Sequence, residues 1–230
     1  MRCVILQPSY IPWRGYFDLI RRADVFVFYD DVQYDKRSWR NRNRIKTAQG
    51  TQWLTIPVKS RGAQVEHTPI NEILTDGDRW AKTHAATLKH VYGRAPFFDD
   101  YAGWVDRTYA APPGPLADFT IATTIELAAM LGFTQTRFLR SSELGVTGKK
   151  TDRLIAVLRA VGATSYLSGP SAKDYIEAGK FAEAGIALDY IHYDYPVYPQ
   201  LYPPYDPAVT ILDLLFMTGS DAPKYIASAP

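Results

Sequence analysis

Residues 7 to 17, Gln-Pro-Ser-Tyr-Ile-Pro-Trp-Arg-Gly-Tyr-Phe, combine two prolines and a glycine, which fix a backbone path, with an amide, two phenols and an indole. A connecting turn does not need those groups. Gln7, Tyr10, Trp13 and Tyr16 are suited to orienting a substrate through hydrogen bonds and ring contacts, although aromatics packed over a βα turn explain them structurally as well. A second set follows. Six of the eleven residues from Lys36 to Lys46 are basic and none is acidic. Guanidinium forks take phosphate or carboxylate oxygens two at a time, so Lys36, Arg37, Arg42 and Arg44, with the amide of Asn41, are candidate anion ligands. In an extended segment alternate residues share a face. That groups Lys36, Ser38, Arg40, Arg42 and Arg44 on one side, and Arg37, Trp39, Asn41 and Asn43 on the other. The competing explanation is a solvated basic strand, which does not account for the indole.

Two candidates can take a proton. Asp30 directly follows an apolar run, where strand-end carboxylates often act as bases, and His84 lies mid-helix near Lys89 and Arg94. Each has a plain alternative: Lys36 and Arg37 neutralise the aspartates, and His84 is a satisfied helix residue. The pair Asp30-Asp31, with no further carboxylate or His nearby in sequence, falls short of a metal site, so no metal is assigned. Further along, Lys149 precedes a helix beginning near Thr151, and Ser168-Gly169-Pro170-Ser171-Ala172-Lys173 repeats the polar strand-end turn. Lys149, Ser168, Ser171 and Lys173 would supply hydroxyls and cations to the same edge as the first turn. No Ser-His-Asp spacing, Walker loop or Gly-x-Gly-x-x-Gly fingerprint is present.

The elements that must position these residues follow from periodicity. Residues 2 to 7 form a continuously apolar strand of the kind covered on both faces, 14 to 23 a helix, and 25 to 29 a second strand, which together make a βαβ unit. Strands are also expected at 52 to 58, 70 to 73, 136 to 139, 165 to 167 and 188 to 193. Helices are expected at 78 to 92, 116 to 131, 151 to 161, 174 to 184 and 209 to 217. The fold class is therefore α/β: a Rossmann-like mixed or mostly parallel sheet flanked by helices, with a helical insertion. The 230 residues fit a single domain, 1–230, with a candidate internal boundary near 110–115. Residues 190 to 205 carry six tyrosines and four prolines, which excludes a regular helix and suits a ligand lid, a partner surface or packing.

Composition narrows the partners. A net charge of +2 is too small to attract nucleic acid or a membrane surface, so any anion preference is local. No stretch approaches the roughly 18 apolar residues of a membrane helix, and no leader pattern opens the chain. Membrane insertion is not expected and a cytoplasmic location is. The single cysteine, Cys3, sits in an apolar strand and excludes an intramolecular disulfide.

Gln7-Pro8-x-Tyr10-x-Pro12-Trp13-x-Gly15-Tyr16-Phe17, the run from Asp30-Asp31-Val32-Gln33-Tyr34 through Lys36-Arg37-Ser38-Trp39 to Asn41-Arg42-Asn43-Arg44-Ile45, and Ser168-Gly169-Pro170-Ser171-x-Lys173-Asp174-Tyr175 resemble the WbqC-like family. The resemblance runs through nearly the whole chain. It implies a place in bacterial O-antigen, polysaccharide or natural-product biosynthesis and a glycine or aminoacyl transferase role, without assigned catalytic residues. The leading expectation is thus an acyl or aminoacyl transferase that modifies an amino sugar or sugar nucleotide. Its partner would be a small molecule bearing phosphate or carboxylate, either a sugar nucleotide or an activated acyl donor. The alternatives are a nucleotidyl-transferring or adenylate-forming enzyme and a non-catalytic scaffold that uses residues 190 to 205. The residue pattern assigns no cofactor and no oligomeric state.

Overall fold

The structure, a computed structural model, describes residues 1–59, 68–112 and 114–226. The first strand, β1 (Arg2–Leu6), is the centre of a five-stranded sheet whose order is β5-β2-β1-β6-β7. The other strands of the sheet are β2 (Val25–Phe28), β5 (Arg137–Arg140), β6 (Ser165–Ser168) and β7 (Ala187–Tyr190), and every neighbouring pair is parallel. Counted among themselves, the five strands lie in the order 3-2-1-4-5. This is the doubly wound order, and its winding reverses between β1 and β6.

Strand alternation feeds two cores. Val4, Phe26, Phe28 and Leu167 face a large core that also takes side chains from α1 (Arg14–Arg21), α2 (Arg79–Tyr92), α3 (Phe98–Ala110), α4 (Leu116–Met130) and α7 (Ile211–Thr218). Cys3, Ile5, Val25, Val27 and Tyr166 face a smaller core closed by α5 (Lys150–Ala160) and α6 (Ala178–Glu183). Burial pushes the Cys3 thiol up to about 12, which keeps it protonated and inert.

Between β2 and β5 lies the insertion. It opens with an antiparallel hairpin, β3 (Arg42–Thr47) and β4 (Gly50–Thr55), and continues through α2 to α4. The expected strand at 70 to 73 is a single 3-10 turn, Ile70–Glu72. Four apolar-flanked residues carry too little periodicity to separate the two states. Helix α3 was not expected, although Phe98, Tyr101, Trp104 and Val105 recur at helical spacing. Residues 110 to 115 join α3 to α4, and the rings of Tyr109 and Phe119 on either side meet at 5.9 Å between centroids.

Residues 191 to 205 cross the outside of α1 as a strap. Tyr195 Oη donates to Asp18 at 3.0 Å, Tyr198 Oη to Asp213 at 2.8 Å and Tyr202 Oη to the Val91 carbonyl at 3.1 Å. Because the strap covers what would be its solvent face, α1 is buried from Arg14 to Ile20. Trp13 sits under the strap, edge-on to Tyr193 and Tyr195 with centroids 4.8 and 6.2 Å away. Gly15 is the residue that makes room for it, since a Cβ there would run into the Trp13 indole. Gly15→Ala is expected to cost about 2 kcal/mol through overpacking and to loosen the strap. Urea unfolding reads the first effect and protease sensitivity near residue 195 the second; unchanged values in both would refute the contact's importance.

Candidate functional site

Open α/β sheets place ligands outside the carboxyl ends of their strands, at the point where the winding reverses. Here that point lies between the ends of β1 and β6, where the chain leaves β1 at Gln7 and leaves β6 at Gly169. Alternation continued past the strands assigns Gln7, Tyr29, Ser168 and Tyr190 to the side of the sheet that carries α5 and α6. Gln7 is half-buried, and its side-chain amide has no hydrogen-bond partner among the described residues. Its carbonyl is fully used, accepting from Tyr16 Oη at 3.1 Å and from Arg40 Nη1 at 3.0 Å. The phenol of Tyr16 is buried, which drives its pKa well up and keeps it a donor.

The turn after β1 is held from several sides. Arg40 Nη1 also reaches the Pro8 carbonyl at 3.3 Å, and the Tyr10 amide donates to the Trp39 carbonyl at 3.0 Å. Ile11 has φ +35°, a conformation that β-branched residues avoid. Its carbonyl accepts from Asn43 Nδ2 and from Thr210 Oγ1, each at 2.8 Å, and these two bonds keep the strained residue in place. The basic excursion therefore packs directly on the first turn.

His84 belongs to this support. Its Nδ1 lies 2.8 Å from Tyr10 Oη, which lies 2.6 Å from Tyr109 Oη, and Trp80 and Phe119 complete a buried aromatic cluster. Desolvation pulls the imidazole down to about 4, against a smaller opposing effect of the Thr55 backbone. The neutral ring meets the Tyr10 hydroxyl at Nδ1 and lies beside the Thr55 backbone, which is the geometry of a positioning group. Asp30 is likewise committed. It accepts from Ser141 Oγ at 3.2 Å, Ser142 N at 3.1 Å and Ser142 Oγ at 2.9 Å, and is fully buried. Its neighbour Asp31 pairs with Arg153 and with Ser141 Oγ. The two aspartates thus tie β2 to β5 and α5. Among the described residues no three His, Cys, Asp or Glu cluster as metal ligands do.

The cationic residues divide into groups. Lys36 and Arg37 lie exposed on a turn, with Arg37 at φ +58°, so the expected extended run from residue 36 begins only at Arg42. Within β3 the expected alternation holds. Arg42 and Arg44 share the outer face, whereas Asn43 points inward; Asn41, in the turn before the strand, donates through Nδ2 to the Ile56 carbonyl at 2.8 Å. Trp39 joins the Arg42 and Arg44 side, against the grouping by parity, because the turn breaks the alternation before it reaches the strand. At the other lip Ser168 is buried, its Oγ 3.2 Å from Tyr166 Oη. Ser171 and Lys173 are exposed on the 3-10 turn Pro170–Asp174, with Lys173 Nζ 5.1 Å from the Tyr190 ring centroid. Lys149 is exposed at the start of α5, where Lys150 has φ +50°.

Four residues beside these groups were not singled out from sequence as site residues: Tyr29, Arg40, Tyr190 and Trp53, whose ring centroid lies 5.2 Å from that of Trp39. Strand alternation finds Tyr190 at the end of β7 and, extended by one residue past β2, Tyr29. Arg40 and Trp53 required the hairpin register.

The molecule is thus a Rossmann-like α/β protein with a doubly wound parallel sheet. It belongs to the WbqC-like protein family, whose model matches residues 7–225. It is similar to a Mycobacterium tuberculosis (strain ATCC 25618 / H37Rv) protein named "Uncharacterized protein Rv1507c", with 42% identity over 227 residues that cover 98% of this chain and 97% of that one. No solved structure matches it significantly.

Proposed function

We propose that the protein is an acyl or aminoacyl transferase, with glycine as one candidate acyl group, acting on the amino group of an amino sugar or sugar nucleotide in bacterial polysaccharide or natural-product biosynthesis. The observation that supports this most is the Gln7 amide, without a hydrogen bond among the described residues, just past β1 at the reversal point of a doubly wound sheet. In this reading Gln7 orients the acceptor, and Lys149, Ser171 and Lys173 hold the donor's or acceptor's oxyanion. Arg40, His84 and Tyr10 act as positioning residues that hold the Gln7 turn, and Asp30 plays the same part for the β5 end. Lys36 and Arg37 add to the field felt by an approaching anion. The amine attacks the activated carbonyl, a C–N bond forms, the activating group leaves with its electron pair, and the ammonium proton passes to solvent.

Incubation with activated glycine and a panel of amino-sugar nucleotides, read by mass spectrometry, is expected to show acylated sugar. Absence of transfer across a broad panel of donors and acceptors would overturn the reading. Gln7→Ala is expected to leave stability within about 0.5 kcal/mol while lowering transfer on the order of tenfold to a hundredfold.

The strand order itself, common to mononucleotide-binding sheets, favours a second reading: a nucleotidyl-transferring or adenylate-forming enzyme. Release of pyrophosphate dependent on ATP or CTP and magnesium would select it over the first. The scaffold reading gains less support, because the phenols of Tyr195, Tyr198 and Tyr202 are spent on Asp18, Asp213 and Val91 rather than offered outward.

A further inference from the structure

On the outer face of the hairpin, Trp39 and Trp53 are 46% and 41% exposed, and their rings lie 5.2 Å apart at 40°. Two guanidinium groups stand over them. Arg42 Cζ is 4.2 Å from the Trp53 centroid, and Arg44 Cζ is 6.0 Å from Trp39 and 5.8 Å from Trp53. Neither guanidinium has a hydrogen bond or ion pair among the described residues, and the Nε of each is buried without a partner. A surface cation ordinarily finds a carboxylate or spreads into water. Here stacking fixes both cations, and their forks remain unspent.

We infer that this platform binds a sugar ring carrying a carboxylate or a phosphate, with the ring's C–H groups on the two indoles and the oxyanion on Arg42 and Arg44. Two planes inclined at 40° explain the preference for a puckered ring. A flat nucleobase meets only one of them, whereas axial and equatorial C–H groups meet both. Near-neutral total charge also argues against a polynucleotide. The turn that carries Trp39 packs on the turn after β1, since the Trp39 carbonyl takes the Tyr10 amide and Arg40 donates to the carbonyls of Gln7 and Pro8. The sugar's role as acceptor rests on the transferase reading, but its binding does not.

The test uses the indole N–H signals of the intact ¹⁵N-labelled protein, assigned with Trp39→Phe and Trp53→Phe. The probes are glucuronic acid, glucose 1-phosphate, glucose, uridine monophosphate and inorganic phosphate. The Trp39 and Trp53 signals are expected to move together and saturate with glucuronic acid or glucose 1-phosphate, and the stronger of the two says which oxyanion is preferred. Glucose is expected to bind about tenfold more weakly, and the Arg42→Gln, Arg44→Gln double variant to lose that discrimination. The signals of Trp80 and Trp104, bonded to the Gly77 carbonyl and to Glu126, stay in place and report an intact fold. Movement with no probe, tighter binding of uridine monophosphate than of either acidic sugar, or equal response to glucose overturns the inference, whatever the transfer assay shows.

Discussion

Replacing Asp213 with Ala is expected to destabilise the protein by about 3–5 kcal/mol, the cost of removing one member of a buried charged network. Asp213 is fully buried. Its Oδ2 accepts from Tyr92 Oη at 2.9 Å, and its Oδ1 accepts from Tyr198 Oη at 2.8 Å and Gln200 Nε2 at 3.0 Å. Burial raises its pKa, and the three hydrogen bonds and nearby Lys46 pull the other way. Ala leaves three donors facing a void and removes the negative charge near Lys46, whose buried ammonium donates to the Pro204 carbonyl at 2.5 Å. Asp213→Asn, which keeps the shape and one acceptor, is expected to lose less, about 1–2 kcal/mol. Urea unfolding of the three proteins decides it. A D213A value within about 0.5 kcal/mol of the parent would show that the network closes without its carboxylate.

The second large effect depends on pH. His84 titrates near 6.5 when unfolded and near 4 when folded, because burial disfavours its charged form. Between those values the unfolded chain binds more protons, so stability rises with pH; it is complete above about 6.5 and falls away as acid approaches 4. The span corresponds to a loss on the order of 3 kcal/mol. His84→Phe removes the titrating group from the aromatic cluster at the price of a partner for Tyr10. Its stability is expected to be lower at neutral pH and flatter between pH 6.5 and 4. The groups in direct contact with His84, Tyr10 and Tyr109, have phenol pKa values pushed up by burial and stay neutral throughout, so the difference between the two proteins isolates the imidazole. Parallel pH profiles would show that His84 is protonated without cost.

Much of the fold was legible because the signals were local. The apolar run before Gln7, the helix closed by Gly132 and the βαβ spacing of residues 2 to 29 each carry their own period and punctuation. Helix α3 went unread because Asp99, Asp100 and Gly103 dilute its apolar stripe and a proline break precedes it. At the site, the basic excursion packs on the first turn through Arg40 and Asn43, neither of which the sequence marked as a site residue. It did not separate exposed from committed groups. Asp30 looks free until Ser141 and Ser142 arrive from more than a hundred residues away, and His84 looks free until Tyr10 and Tyr109 surround it. The tyrosines of 190 to 205 have the same history, since their acceptors lie on α1, α2 and α7.

The long insertion has a cost during synthesis. β2 meets its outer neighbour only when Arg137 to Arg140 arrive, roughly 110 residues after Val25 has left the ribosome. At translation speeds of about 5–20 residues per second, the Val-Phe-Val-Phe edge waits some 5–20 s with its amides and carbonyls unmatched. Such a segment is a template for association with other nascent chains. A growing chain that paused before residue 140 would prolong that hazard, whereas the hairpin and α2 to α4, emerging in the interval, can already shelter the large-core face of the strand.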